Sequence, residues 1–273
     1  MKLFYRRYGT AGQPAIIILH GLFGISDNWV TFGRRMADEG FDVIIPDQRN
    51  HGLSPHSTVF NYLALTDDLM ELIDELDVEK PALLGHSMGG KVAMRFTLEN
   101  PGMVDKLIVV DITLKAYGDR PHHRNIISAM QAVKLEEAQS RQEVERQLQS
   151  SITEIRTRQF LMKNLHWKGK NQLEWRINLS GINDNLGAMF DAIQTEVQYH
   201  RPALFVRGGQ SDYILPSDYA QIRQNFPKAE IITIEGASHW VHAEAPEQFY
   251  QLGYGFLTGT PDWLGENQDG SFR

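Results

Sequence analysis

Short and nearly continuous apolar runs recur along this chain, and longer stretches with helical periodicity separate them. The six runs lie at residues 15–19, 43–45, 82–84, 107–110, 203–206 and 231–234. Strands buried on both faces have this pattern, whereas strands with one face in water alternate apolar and polar residues. Residues 61–76 instead place leucines and an isoleucine at spacings of three and four, on one face of a helix. This alternation predicts an α/β fold built on a mostly parallel, doubly wound sheet.

The alternation of strands and helices stops after Asp111. From about residue 121 to residue 199 the sequence has helical patterns rich in glutamine and charged residues, without a convincing buried strand. Structureless interruptions of this length are uncommon in compact domains. We therefore predict a core of residues 1–113 and 200–273 and an inserted helical cap of residues 114–199. An ordinary helical layer on the sheet is the alternative, and the tail from Thr258 is expected to fray.

Charge and composition exclude several classes of protein. The chain has 273 residues and a formal net charge of -7, and its lysines and arginines are scattered, so nucleic acid is not an expected partner. The chain contains no run of about 18 apolar residues, the length that would predict a membrane span. The N-terminus also lacks the pattern of a signal peptide, so we expect a cytoplasmic location. Because the chain has no cysteine, covalent catalysis must use another nucleophile. The oligomeric state is left open.

A G-x-S-x-G motif, G-H-S-M-G at residues 85–89, lies between an apolar run and a helical stretch. In this context the motif is typical of a nucleophile elbow, a sharp turn that exposes the serine hydroxyl. Glycines two residues before and after the serine leave room for the neighbouring strand and helix. The N-terminus of the following helix favours a developing negative charge. The motif therefore predicts Ser87 as a nucleophile.

The loop after the last apolar run contains the candidate base. It reads G-A-S-H-W-V-H at residues 236–242. A base that activates the serine from above the sheet must lie on a loop that leaves the carboxyl end of a strand. We predict this role for His239 rather than His242, which lies nearer the start of the next helix.

The first apolar run ends in H-G-L-F-G at residues 20–24. A loop at this position can supply one backbone N–H to an oxyanion hole, and Met88 can supply the other. The donor from the first loop is either Leu22, which we take first, or Phe23.

Together these motifs resemble the α/β-hydrolase superfamily. The similar segments are H-G at residues 20–21, D-Q-R-N-H-G-L-S at 47–54 and G-H-S-M-G-G at 85–90. The candidate catalytic residues also follow the chain order Ser, Asp, His. More narrowly, residues 20–24, 49–54 and 239–244 resemble a group of small bacterial carboxylesterases related to a mitochondrial hydrolase. The resemblance covers nearly the whole chain apart from the cap, and it implies activity on short acyl esters or thioesters.

Two aspartates are candidates for the acid that orients His239. Asp212 lies in the loop after the run at residues 203–206, the usual position in the superfamily. Asp111 ends the run at residues 107–110, and the esterase group just named often places its acid there. Either carboxylate could hold the imidazole in the productive tautomer, and the sequence contains no distance that decides between them.

No cofactor or metal is expected. Residues 85–91 also fit the start of a phosphate-binding loop, but Val92 stands where that loop needs Ser or Thr to hold Mg²⁺. His122 and His123 lack further ligands at metal-binding spacing, and a solvated surface is the preferred interpretation.

Asp47, Arg49, His51 and Ser54, on the loop after the second predicted strand, are expected to form a structural turn near the site. Trp167, Trp175 and Met189 are candidates for lining an acyl pocket, although packing between cap and core is the commoner role of such residues.

The motifs favour a serine carboxylesterase that hydrolyses short-to-medium acyl esters through an acyl-enzyme on Ser87. Its expected partner is a small ester or thioester. Acyl thioesterase, C–C hydrolase and lyase chemistry use the same kind of Ser-His-acid site and stay open. From a different class, a small-ligand-binding module with a vestigial site is the non-enzymatic alternative.

Overall fold

A seven-stranded β-sheet lies at the centre of the structure, a computed structural model that describes residues 1–118, 121–169 and 172–260. The strands are β1 (Tyr5–Tyr8), β2 (Ala15–Leu19), β3 (Asp42–Pro46), β4 (Ala82–His86), β5 (Leu107–Val110), β6 (Leu165–Lys168), β7 (Gln172–Trp175), β8 (Ala203–Gly208) and β9 (Ala229–Ile234). The α-helices are α1 (Val30–Asp38), α2 (Tyr62–Leu76), α3 (Met88–Glu99), α4 (Pro121–Ala132), α5 (Arg141–Gln149), α6 (Ile155–Met162), α7 (Leu179–Asp184), α8 (Tyr219–Asn225), α9 (Val241–Glu244) and α10 (Pro246–Thr258).

The strand order in the sheet is β1-β3-β2-β4-β5-β8-β9, and all neighbours are parallel except β1 and β3. The predicted mostly parallel sheet is therefore confirmed, and each of the six apolar runs lies in one of its strands. Strand β1 is not among the predicted strands. It is half-buried at the sheet edge and contains Arg6 and Arg7, so it has no apolar run.

Helices cover both faces of the sheet. Alternate side chains of β2 point to opposite faces: Ile17 and Leu19 join the apolar layer that contains α2 and α3, whereas Ile16 and Ile18 join the layer that contains α1 and α10. Each face thus buries its own apolar layer. This is why the central strands are apolar at successive positions instead of alternating.

The segment between β5 and β8 contains helices α4 to α7 and an antiparallel hairpin of β6 and β7. The hairpin is not predicted by the sequence analysis. Its strands, L-H-W-K and Q-L-E-W, are only partly buried and have no continuous apolar run. The buried side chains of the segment join the apolar layer on the α2 and α3 side of the sheet. These elements lie within residues 114–199, and the division into core and cap stays a prediction.

The carboxyl ends of the parallel strands meet at one edge of the sheet, where ligands bind in open α/β folds. Ser87 follows β4, Asp111 follows β5, and His239 lies on the loop between β9 and α9. No helix in the described ranges is long and apolar enough to cross a membrane. Helix α10 ends at Thr258, and the tail predicted to fray lies outside the described residues from residue 261 onward.

Candidate active site

Ser87 lies on a strained turn between β4 and α3. Its φ and ψ angles are 52° and -119°, a positive φ that non-glycine residues rarely adopt. A Cβ atom on Gly85 would lie 2.2 Å from the Gly89 carbonyl oxygen, and one on Gly89 would lie 2.3 Å from the Leu19 carbonyl oxygen. Both contacts are far inside van der Waals distance, so the flanking positions of the motif require glycine. The structure therefore has the elbow geometry that the motif predicts.

The backbone N–H of Met88 lies at the first position of helix α3. The first N–H groups of a helix have no acceptor within the helix, and the helix dipole places positive potential there. Ser87 itself donates its N–H to the Val110 carbonyl oxygen at 3.0 Å, which ties the elbow to the end of β5. The Met88 N–H thus lies beside the serine at the positive end of the helix.

The structure brings Asp111 together with His239. The Nδ1 atom of His239 lies 2.8 Å from Oδ2 of Asp111, whose side chain is completely buried. Two further donors reach this carboxylate: the Gly208 N–H to Oδ1 at 3.0 Å, and the Ser211 hydroxyl to Oδ2. Asp212 is exposed. The buried carboxylate is thus well supplied with hydrogen bonds and faces the side of the imidazole opposite Nε2.

The sequence motifs do not single out three side chains that lie around the Asp111–His239 pair: Tyr213, His86 and Ser211. The Tyr213 ring stacks on the His239 imidazole with centroids 3.8 Å apart and planes 18° apart. His86 donates from Nε2 to the His239 carbonyl oxygen at 2.9 Å, and burial lowers the pKa of His86 well below its ordinary value, so the ring is neutral. The only sequence signals are adjacency: His86 precedes the nucleophile, and Ser211 and Tyr213 flank the candidate acid Asp212.

The loop after β2 lies against the serine. A Cβ atom on Gly21 would be 3.3 Å from the Ser87 Cβ atom. The Phe23 N–H donates to Nε2 of His51 at 3.2 Å, and His51 donates from Nδ1 to the Arg49 carbonyl oxygen. Burial lowers the pKa of His51 to about 3, which keeps the ring neutral and Nε2 able to accept. The Phe23 N–H is therefore committed elsewhere, whereas the Leu22 N–H donates to no acceptor within the described residues.

The predicted turn after β3 is held by its own polar side chains. Asp47 accepts from the Ser26 N–H at 2.6 Å and from the Leu53 N–H at 2.9 Å. Arg49 forms a buried, two-pronged ion pair with Asp68, at 2.6 and 2.7 Å. These contacts anchor the loop that contains His51, and through it the loop that contains Leu22 and Phe23.

Two cavities meet at Ser87. The larger, which we call the base-side cavity, has a volume of about 170 Å³ and includes His239, Trp240 and Phe160 in its lining. The smaller, which we call the Met189 cavity, has a volume of about 20 Å³. Its lining includes Met88, Ile112, Tyr62, Tyr117 and Met189.

The three cap residues considered for an acyl pocket differ in their surroundings. Met189 lines the Met189 cavity beside the serine. Trp175 is buried and donates its indole N–H to the Met130 carbonyl oxygen at 3.1 Å, which is a packing role. Trp167 is 43% exposed. His123 lines both cavities and His122 the larger one, and no group of three or more potential ligands within the described residues is arranged for a metal ion.

Comparison with known proteins shows which chains are similar to this one. A family model described as the alpha/beta hydrolase fold matches residues 14–246. The chain is 39% identical over 254 residues to the sn-1-specific diacylglycerol lipase ABHD11 of Mus musculus, covering 91% of this chain and 82% of that protein. It is 36% identical over 250 residues to Esterase YbfF of Escherichia coli (strain K12), covering 90% of this chain and 95% of that protein.

A solved structure described as a marine microorganism esterase has the same fold. It superposes with a TM-score of 0.89 at 40% sequence identity, covering 93% of this chain and 99% of that one. The range matched by the family model includes the elbow, the loop after β2 and the loop after β9. The chain therefore belongs to the α/β-hydrolase fold family.

Proposed function

We propose that this chain, an ester-bond hydrolase, is a serine carboxylesterase with Ser87 as nucleophile, His239 as general base and Asp111 as the acid. The observation that carries the proposal is the hydrogen bond of 2.8 Å between His239 Nδ1 and buried Asp111. It fixes the proton on Nδ1 and leaves Nε2 as the basic nitrogen. His239 and Ser87 line the same cavity, so this nitrogen and the serine hydroxyl are available to one substrate.

The reaction follows from these positions. His239 Nε2 takes the proton of the Ser87 hydroxyl as Oγ attacks the acyl carbon of the ester. The carbonyl oxygen gains negative charge, which the N–H groups of Leu22 and Met88 stabilise. The imidazolium then gives its proton to the departing alcohol, and Asp111 stabilises the positive ring meanwhile. Water, activated by the same histidine, releases the acid from Ser87 and restores the enzyme.

Asp111 is favoured over Asp212 because of its hydrogen bonds. The Gly208 N–H and the Ser211 hydroxyl hold its carboxylate against His239, and the carboxylate is fully buried. These hydrogen bonds fix the orientation of the buried carboxylate towards His239. Leu22 is favoured over Phe23 as oxyanion donor because the Phe23 N–H already donates to His51. The non-enzymatic alternative is set aside, and the cytoplasmic location stays a prediction.

The test is turnover of p-nitrophenyl acetate by the wild type and by Ser87→Ala. Because the nucleophile and base act as a unit, the variant should lose about 10⁵-fold or more in kcat. Thermal unfolding of both proteins checks that the variant folds. Assays of both proteins with acyl thioesters accompany the p-nitrophenyl acetate assay. If Ser87→Ala keeps activity within tenfold of the wild type, Ser87 is not the nucleophile.

A further inference from the structure

The two cavities that meet at Ser87 differ in size and in which catalytic groups they contain. Resting on the proposed serine esterase mechanism, we infer that the Met189 cavity binds the acyl group and the base-side cavity binds the leaving alcohol. The substrates are then esters of short acyl groups, of about two to four carbons, with a larger and apolar alcohol.

Proton delivery decides which cavity takes which half of the ester. The leaving oxygen must lie within hydrogen-bond reach of the imidazolium, because His239 protonates it as the bond breaks. His239 lines the base-side cavity and is not among the residues that line the Met189 cavity. The alcohol therefore lies on the base side. The acyl chain then extends away from His239, along Met88 and Ile112.

The volume of the Met189 cavity limits the length of the acyl chain. It measures about 20 Å³, and one water-sized group needs roughly 10–15 Å³ on the same measure. An acetyl methyl group is of that size. Each further methylene must displace wall atoms, and displacing atoms in a packed interior is costly. Acyl chains beyond about butyryl should therefore bind poorly.

Hydrogen bonds brace the part of the Met189 cavity wall that contains Tyr62, Tyr117 and Met189. The Tyr62 hydroxyl donates to the Met189 carbonyl oxygen at 2.9 Å, and the Tyr117 hydroxyl donates to the Tyr213 carbonyl oxygen at 2.7 Å. Buried Lys91 donates to the carbonyl oxygens of Lys115, at 2.9 Å, and of Asp191. These bonds join the core to both ends of the inserted segment, so the wall cannot move back without breaking them. The Met189 side chain is the flexible part of this wall.

The base side has the room and the surface for a larger alcohol. The base-side cavity measures about 170 Å³. Phe160 and Trp240 form part of its wall, with ring centroids 4.3 Å apart, and they also line an adjoining groove of about 350 Å³. Aromatic walls favour apolar or aromatic groups. An alcohol too large for the cavity would pass these two rings and reach the groove, whose remaining lining is mostly polar and includes Arg156, Lys163 and Glu244.

The test is a kcat/KM series on p-nitrophenyl esters from two to about twelve acyl carbons, which keeps the alcohol constant. The wild type should prefer acetate to butyrate and lose at least tenfold by octanoate. Met189→Ala should raise the octanoate-to-acetate ratio at least tenfold. Met130→Ala is the matched control, because Met130 is a buried cap methionine that lines neither cavity. It should keep the wild-type profile. Phe160→Ala should also keep the acyl profile, but it should lower kcat/KM for esters of aromatic alcohols relative to esters of methanol.

A second measurement uses the wild type alone and does not depend on a variant folding. In the tetrahedral adduct of an alkylboronic acid with the serine oxygen, boron stands in for the acyl carbon and the alkyl group for the acyl chain, so a series of inhibition constants compares chain lengths. Methyl- and ethylboronic acid should inhibit at least tenfold more strongly than octylboronic acid. A wild type that prefers octanoate, or an acyl profile that shifts with Phe160→Ala and not with Met189→Ala, would overturn the assignment. Absence of turnover on every ester would instead contradict the proposed function.

Discussion

At the scale of single residues, two aspartates compete for one role, and the sheet places them differently. Asp111 follows β5 and hydrogen-bonds His239, whereas Asp212 is exposed on the loop after β8. The sequence predicts Ser87 as nucleophile and His239 as base through short local motifs. It leaves the acid open because β5 and β8 are neighbours in the sheet, although Ala203 lies 92 positions after Asp111 in the sequence. Adjacency of this kind is created by folding and has no local pattern.

Asp111→Asn should lower kcat by about 10³–10⁴-fold, because an amide can donate to Nδ1 and stabilise the wrong tautomer of His239. Asp212→Asn is the matched control and should stay within a few-fold of the wild type. Both are measured on p-nitrophenyl acetate. Comparable losses in the two variants would contradict the assignment of the acid to Asp111.

At the scale of secondary-structure elements, the elbow is held by close contact between backbones. The glycines of the G-x-S-x-G motif predict this contact from the sequence. The six apolar runs likewise predict the six central strands. The edge strand β1 and the hairpin of β6 and β7 are not foreseeable in the same way. They are partly exposed and include charged residues such as Arg6, Arg7 and Glu174, so the local sequence predicts these strands only weakly. Pairing with neighbouring strands in the folded chain stabilises them.

Gly89→Ala should destabilise the fold and disable the site. Its Cβ atom would lie 2.3 Å from the Leu19 carbonyl oxygen, so α3 must move away from β2 at a cost of about 1–3 kcal/mol or more. Gly102→Ala is the control, because no atom lies within 4 Å of the Cβ position there. It should change the free energy of unfolding by less than about 0.5 kcal/mol. Urea denaturation of both variants measures the difference, and equal stability would show that the elbow tolerates a side chain.

At the scale of the whole molecule, neutral histidines near the site, of which His20 and His51 are buried and His242 is half-buried, make the fold sensitive to acid. Burial lowers the pKa of His20 to about 4 and the pKa values of His51 and His242 to about 3. In the unfolded chain these rings titrate near 6.5. The unfolded state therefore binds more protons between about pH 6.5 and pH 4, so stability is complete above this window and is lost as pH falls through it.

The slope of the unfolding free energy in that window should be up to about 1.4 kcal/mol per pH unit for each buried ring. His242→Phe retains an aromatic ring to stack on Trp29, where the imidazole now lies 4.2 Å away, and removes one titrating group. It should reduce the slope by about that amount, whereas His200→Phe, at an exposed position, should leave it unchanged. Denaturant titrations at several pH values measure the slopes, and an unchanged slope in His242→Phe would contradict the account.

The two cavities at Ser87 are formed by residues from distant parts of the chain. The break in the strand and helix pattern after Asp111 predicts an inserted segment, but the sequence does not indicate which cap side chain faces Ser87. Of the three candidates, Met189 lines a cavity, Trp175 packs in the interior and Trp167 is exposed. Their orientation depends on how α4 to α7 pack over the sheet.

We propose that the buried Asp111–His239 pair activates Ser87 as a nucleophile. Labelling of the folded protein with a fluorophosphonate probe, followed by mass spectrometry of the tryptic peptides, tests this proposal. We expect one adduct, on Ser87, that is absent after heat denaturation and strongly slowed in His239→Ala. A folded, unlabelled Ser87, or an adduct on another residue that survives in Ser87→Ala, would contradict the account.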